Sequence, residues 1–304
     1  MNFENSQRWS QAGRSERKRL IYIAGEAHSG STAMDYLLGR LLGRSCGQLV
    51  DLGQFLNADG TLNAPAVRDA NIKLWQQFLL QTPKKTRDEF RWIFGEIARE
   101  RKFLQYSLLS SRRKKLARCF DESIVSVYRY FDCDTLVDSS KNVTRALGLQ
   151  KSEVCDVYVV HLIRSPADFL TSIAKRTESG RTLLGQIFWL WHWSIKNALA
   201  GLLKIYFGRR YFLLDYKSVF LRPQEALAPL LRELGLDVSS ADFAKILDER
   251  RLEPETVGGN RIRTQGGPIE LHYVEVSHAE LGVIHTPAQL LCRLLERLFL
   301  EPDL

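Results

Sequence analysis

A chain of 304 residues with 45% hydrophobic content can bury a large core, which excludes disorder and fits a single α/β domain with insertions. Lys and Arg number 43 against 35 Asp and Glu, so the formal charge is +8 and the surface field favours anions such as nucleotides, sulfated sugars, nucleic acid or acidic membranes. The five cysteines (Cys46, Cys119, Cys133, Cys155 and Cys292) form no C-x-x-C pair and have no histidines at ligand spacing, which predicts unpaired thiols in a reducing compartment and no metal site.

Residues 1–19 are polar and basic, without the apolar stretch of a secretory signal, and read as a flexible tail on a cytoplasmic protein. Residues 20–24, LIYIA, form a short apolar run expected of a strand covered on both faces. The turn GEAHSGST follows at once, and then residues 33–44 carry leucines at helical spacing. Residues 71–118 are helical in pattern and end in the basic run Arg112 to Lys115, which reads as a solvated helix face; the alternative is a patch that draws in an acidic acceptor. Strand character returns at 135–137 and 157–163, each followed by a helical pattern, at 142–151 and 166–176.

Residues 183–207 are the most apolar stretch. Gln186, His192, Lys196 and Lys204 interrupt it, so it reads as a buried amphipathic helix and not a membrane span. A strand at 211–214, a helix at 223–234 opened by proline, and a final helix with Thr286 as N-cap complete the pattern. Alternation of this kind predicts a central parallel sheet with crossover helices, in one domain over 20–304 with a helical insertion at about 60–130.

Gly25 to Thr32 matches the phosphate-loop spacing G-x-x-x-x-G-K-[ST] except that Ser31 replaces the lysine. That lysine reaches the β- and γ-phosphates in nucleotide triphosphatases, so its loss argues against a kinase or ATPase. The geometry that remains is an anion nest: backbone N–H groups of Ser29, Gly30, Ser31 and Thr32 at a helix N-terminus, with hydroxyls of Ser29, Ser31 and Thr32. Arg164 ends a strand and Ser172 lies on the next helix, a pair suited to clamping a phosphate. Asp138-Ser139-Ser140-Lys141 follows another short strand, where open α/β sheets place their ligands.

In these three segments the chain resembles the superfamily of sulfotransferases that use 3'-phosphoadenosine 5'-phosphosulfate, PAPS. His28-Ser29-Gly30-Ser31-Thr32 is similar to its 5'-phosphosulfate loop, with His28 where a basic residue is usual; VVHLIRSPADFLTS is similar to its 3'-phosphate motif. Asp138 to Lys141 looks like a segment of its bacterial and carbohydrate-type members, and Val257 to Arg263 resembles the C-terminal glycine loop of bacterial members. The resemblance implies a three-layer α/β sandwich, a P-loop sulfotransferase fold, with PAPS as co-substrate and no metal. It implies donor binding by His28, Ser29, Gly30, Ser31, Thr32, Arg164, Ser172, Gly259, Asn260 and Arg261, and catalysis by His28, Asp138 and Lys141.

The expected partners are PAPS and a small-molecule or glycan acceptor, bound through a hydroxyl or amine; nucleic acid is not expected, because the basic residues are dispersed. The general base stays open among Asp138, His28, Asp51 and Glu26, since Gln54 stands where the family often has glutamate. His161 reads as a strand residue and His192 as a core histidine. The tryptophans at 189, 191 and 193 read as core packing, with an acceptor pocket as the alternative. A P-loop kinase and a non-catalytic PAPS- or polyanion-binding domain are the rival readings.

Overall fold

The apolar run LIYIA becomes the middle strand of a sheet. In the computed structural model, which describes residues 17–57, 59–63, 69–97, 102–248 and 284–300, this strand is β1 (Lys18–Ala24). Residues Leu20 to Ala24 are fully buried, and a pleat of period two sends Leu20, Tyr22 and Ala24 into one core and Ile21 and Ile23 into another. The tail expected over 1–19 gives way to structure at its last residues: Lys18 and Arg19 belong to β1, and Arg17 Nη2 donates to the carbonyls of Ser152 and Cys155 at 2.8 and 3.1 Å.

Among the described residues five strands, all parallel, lie in the order β2-β3-β1-β4-β5. The others are β2 (Arg44–Gly47), β3 (Thr135–Lys141), β4 (Cys155–Ile163) and β5 (Tyr211–Asp215). Parallel pairing needs crossovers, and these put helices on both faces. One face carries α1 (Ser31–Leu42), α10 (Tyr216–Leu221), α11 (Pro223–Leu234) and α12 (Ser240–Asp248), packed on Ile21, Ile23, Val137 and Val160. The other carries α2 (Asp51–Phe55), α3 (Asp69–Gln81), α4 (Lys84–Ile97), α5 (Phe103–Leu108), α6 (Ser110–Phe131) and α7 (Val143–Leu149). The result is the expected α/β sandwich of three layers, and α3 to α6 form the helical stretch expected near 60–130.

A third cluster joins α8 (Pro166–Ala174), α9 (Leu183–Phe207) and α13 (Thr286–Phe299) through Phe169, Leu190, Trp193 and Cys292. Local chemistry sets the helix starts: the side chains of Asn142, Ser165, Thr182 and Asp215 each accept a first-turn N–H. Two boundaries differ from the sequence expectation. The Asp138-Ser139-Ser140-Lys141 segment lies inside β3, because its backbone pairs with β1. Thr286 opens α13 with His285 as its N-cap, since the proline sits in the first helical turn, where its missing N–H costs nothing.

Candidate active site

The parallel registers bring the carboxyl ends of three strands level. Ala24 of β1 pairs with Lys141 of β3 and with His161 of β4, and Arg164 follows directly on β4. The loop Gly25 to Gly30 leaves β1 at this edge and runs into α1, where chain connections diverge to either side of β1, the usual ligand crevice of an open α/β sheet. Glycine is required at both ends of the loop. Gly25 has φ 130°, and a Cβ there would stand 2.5 Å from the Leu162 carbonyl; Gly30 has φ 88°, and a Cβ would stand 2.0 Å from the Tyr216 ring. His28 is also left-handed, at φ 66°.

Among the described residues no side chain caps the start of α1, and its first turn holds no acid. The opening N–H groups of an α-helix have no intrahelical acceptor and sit at the positive end of the dipole, so this end favours an anion. Ser29, Ser31 and Thr32 are buried there, and Ser29 Oγ has no hydrogen-bond partner among the described residues. A buried hydroxyl left without a partner loses stability unless something polar meets it.

Cations converge on the same loop from three elements. Lys141 Nζ donates to Ser31 Oγ at 3.2 Å, from a strand end that turns through a left-handed residue with φ 63°. Tyr22 Oη holds that turn by donating to the Asn142 carbonyl at 2.8 Å. Arg164 Nη1 donates to the His28 carbonyl at 3.2 Å, and its guanidinium lies 5.1 Å from the ring centre of Tyr216. Arg176, just beyond α8, donates from Nη1 to His28 Nδ1 at 3.1 Å. Burial first, then the charges of Arg176 and Lys141, lower the His28 pKa to about 4. His28 is therefore neutral at physiological pH, and because Nδ1 accepts from Arg176 its proton sits on Nε2.

A second histidine reaches the loop. Glu26 is 4% exposed; its Oε1 accepts the Ala27 N–H at 2.6 Å, and its Oε2 lies 2.9 Å from His192 Nδ1, off the line of a straight hydrogen bond. The His192 side chain is 39% exposed and stacks on Phe188, so it is a rim residue of the loop and not the core histidine expected from the sequence. The tryptophans divide: Trp193 is buried, Trp189 is half-buried and Trp191 is exposed.

Asp138 is wholly buried and fully engaged. Its Oδ2 accepts from Arg145 Nε and Nη2 at 2.9 and 2.7 Å, and its Oδ1 accepts from the Ser140 N–H and hydroxyl. Ser140 Oγ in turn accepts from Val50 N at 3.1 Å, joining β3 to the start of α2. Gln54 on α2 is exposed. His161 is the buried strand residue expected: Nδ1 meets Tyr211 Oη at 2.7 Å, Nε2 meets Asn197 Oδ1 at 3.0 Å, and burial lowers its pKa to about 4. Ser172 is half-buried on α8. Gly259, Asn260 and Arg261 lie outside the described residues.

Among solved structures, the chain is similar to the sulfotransferase domain from the curacin biosynthetic pathway, at 13% sequence identity and a TM-score of 0.50, covering 93% of this chain and 99% of that one. The chain has the fold of a sulfotransferase domain. It is also similar to the sulfotransferase domain from the Synechococcus PCC 7002 olefin synthase (18% identity, 94% and 98% covered, TM-score 0.47). A further similarity is to sulfotransferase STF9 from Mycobacterium avium (11% identity, 76% and 67% covered, TM-score 0.45). No protein-family model matches the chain, and no curated protein matches its sequence.

The sequence reading missed Arg176, Tyr216 and the placement of His192. Arg176 and His192 stand outside every motif, and only the packing of α8 and α9 beside the loop brings them to it. Tyr216 had a signal, since it follows directly on a strand at the sheet's carboxyl edge.

Proposed function

We propose that the protein is a sulfotransferase that moves the sulfuryl group of PAPS to a hydroxyl or amine of a carbohydrate, lipid or other small acceptor. The observation that supports this most is the convergence of Lys141, Arg164 and Arg176 on a loop at a helix N-terminus, where the buried Ser29 hydroxyl has no partner among the described residues. A phosphosulfate fits this set: it offers acceptor oxygens to the N–H groups and to Ser29, Ser31 and Thr32, and charge to the cations. When bound, the donor supplies the activated sulfuryl group and a phosphate leaving group.

The residues of the chain position the partners and balance charge. Lys141 and Arg176 offset the negative charge that collects on the leaving phosphate, and Nε2 of neutral His28 adds one N–H donor. Arg164, with Ser172 on the following helix, holds the 3'-phosphate; Gly259, Asn260 and Arg261 are assigned to the nucleotide by resemblance. We give Asp138 a structural role, because Arg145 and Ser140 occupy both its oxygens. His192 takes the acceptor proton: the Glu26 carboxylate beside Nδ1 favours a proton there and leaves the lone pair on Nε2.

Calorimetric titration with adenosine 3',5'-bisphosphate, alongside ATP with magnesium, tests the reading. Binding of the bisphosphate that weakens in Arg164→Ala supports a PAPS site; good ATP binding with no bisphosphate binding favours a kinase instead.

A further inference from the structure

The α9 helix buries one face on β4, α8 and α13 and leaves a second apolar face in water. Leu184, Phe188, Trp191, Ile195, Leu202 and Ile205 recur at intervals of three, four and seven residues, which places them on one side of a helix of 25 residues. Leu184 is 81% exposed, Trp191 66% and Ile205 76%. At 1.5 Å per residue this stripe, from Leu184 to Ile205, spans roughly 32 Å, longer than isolated exposed side chains account for. No described helix is long and apolar enough to cross a membrane.

The charged residues of the helix itself have one sign. The α9 sequence contains no Asp or Glu and carries Lys196 and Lys204, with Arg209 just beyond its end. Tyr206 lies on the stripe's side of the helix and joins it to the start of α6: Arg113 sits 5.3 Å over its ring, and its hydroxyl donates to the Ser107 carbonyl at 3.4 Å. The first turns of α6 carry Arg112, Arg113, Lys114 and Lys115 with no acid among them. Cations at the positive end of a helix dipole cost stability, so a requirement other than the helix places them there. Leu104 and Leu108 of α5, both exposed, continue the apolar surface beside them.

We propose that this face docks on an anionic lipid surface, with the α9 stripe in the interface plane and the exposed Arg112, Lys114 and Lys115 of α6 on the lipid phosphates. Leucine, phenylalanine and tryptophan flanked by Lys and Arg are the composition of an interfacial helix. A nucleic acid would use the cations but give the exposed leucines nothing to bury against. A second copy of the chain would bring the same cations against themselves.

The test is sedimentation of the full chain with vesicles of phosphatidylcholine alone and of phosphatidylcholine with phosphatidylglycerol, at low and high salt. The expected result is partition onto the anionic vesicles that weakens with salt. It falls at least about tenfold in the Phe188→Ser/Trp191→Ser variant. It falls by on the order of tenfold or more in Arg112→Gln/Lys114→Gln/Lys115→Gln, with circular dichroism and melting like the parent in both. Equal partition onto the two vesicle types overturns the proposal, as does anionic binding indifferent to Phe188 and Trp191. A dimer in light scattering that the Trp191 variant dissolves, without vesicle binding, assigns the face to a second copy and also overturns it.

Discussion

Replacing Arg176 by alanine removes a cation that no sequence motif contains, yet it should weaken donor binding. In the structure His28 stands where a loop cation would serve, and it is neutral, with its pKa lowered to about 4 by burial, Arg176 and Lys141 in that order. The charge at this point of the loop therefore comes from Arg176, 3.1 Å behind the imidazole. Arg176 is exposed, so the lower end of the range for a charge-assisted bond applies, about 1.5 kcal/mol or roughly tenfold in Kd. Titration of Arg176→Ala with adenosine 3',5'-bisphosphate should show that loss. Adding His28→Lys should return most of it, because the lysine puts the charge directly on the loop. A nuclear magnetic resonance titration of His28 gives an independent readout: its midpoint should rise from about 4 toward the free value in Arg176→Ala. The reasoning fails if Arg176→Ala binds like the parent, or if the lysine restores nothing.

Other perturbations separate chemistry from structure. Asp138→Asn breaks a buried ion pair with Arg145 and should cost about 3–5 kcal/mol in thermal or urea unfolding; near-normal stability with lost turnover would make Asp138 a catalytic group after all. His192→Gln should lower kcat by about 10²–10⁴ while leaving bisphosphate affinity unchanged, with Glu26→Gln less affected, as read in single-turnover transfer. The His161 pKa is lowered on folding, so the stability it contributes is present above the unfolded value near 6.5 and is lost as pH falls toward about 4, by about 3 kcal/mol. Urea unfolding of the parent and His161→Gln across that window should show a steeper slope in the parent, the remainder in the variant coming from His28, whose pKa is lowered over the same range. Gly30→Ala should abolish bisphosphate binding, since its Cβ would overlap the Tyr216 ring at a left-handed φ.

The fold was legible where one face or two faces of an element are apolar. LIYIA and VYVVHLI announced buried strands because both sides of each pleat are covered, and Pro166 and Pro223 marked helix starts by their fixed φ. β2 was not legible: Arg44-Ser45-Cys46-Gly47 has no apolar alternation and is a strand only because β3 offers it a backbone edge. That Ser29, Ser31, Lys141 and Arg164 lie together at one edge of the sheet was legible because they sit at fixed offsets from strand ends. The Asp138–Arg145 pair was not legible for a reason of reach, since Arg145 is seven residues away on the next helix and an isolated Asp-Ser-Ser-Lys does not reveal it. His192 was misjudged because its apolar neighbours suggested a core, whereas Phe188 and Trp191 face water.

Gly25 to Thr32 keep the phosphate-loop spacing without its lysine, and on the proposed function the way the charge is replaced bears on the chemistry. A lysine within the loop travels with the loop, whereas Lys141, Arg164 and Arg176 come from β3, the end of β4 and the end of α8. Lys141 and Arg164 are held by strand pairing, by the Tyr22 bond to Asn142 and by the Tyr216 ring under Arg164. Cations mounted on separate rigid elements do not reorganise as charge moves onto a leaving group, and such prearranged fields stabilise a transition state more than mobile ones. This mounting also ties the site to global stability. Loosening β3 by breaking Asp138–Arg145 should displace Lys141 and weaken anion binding before the protein unfolds, an order of events that bisphosphate titration along a urea series would reveal.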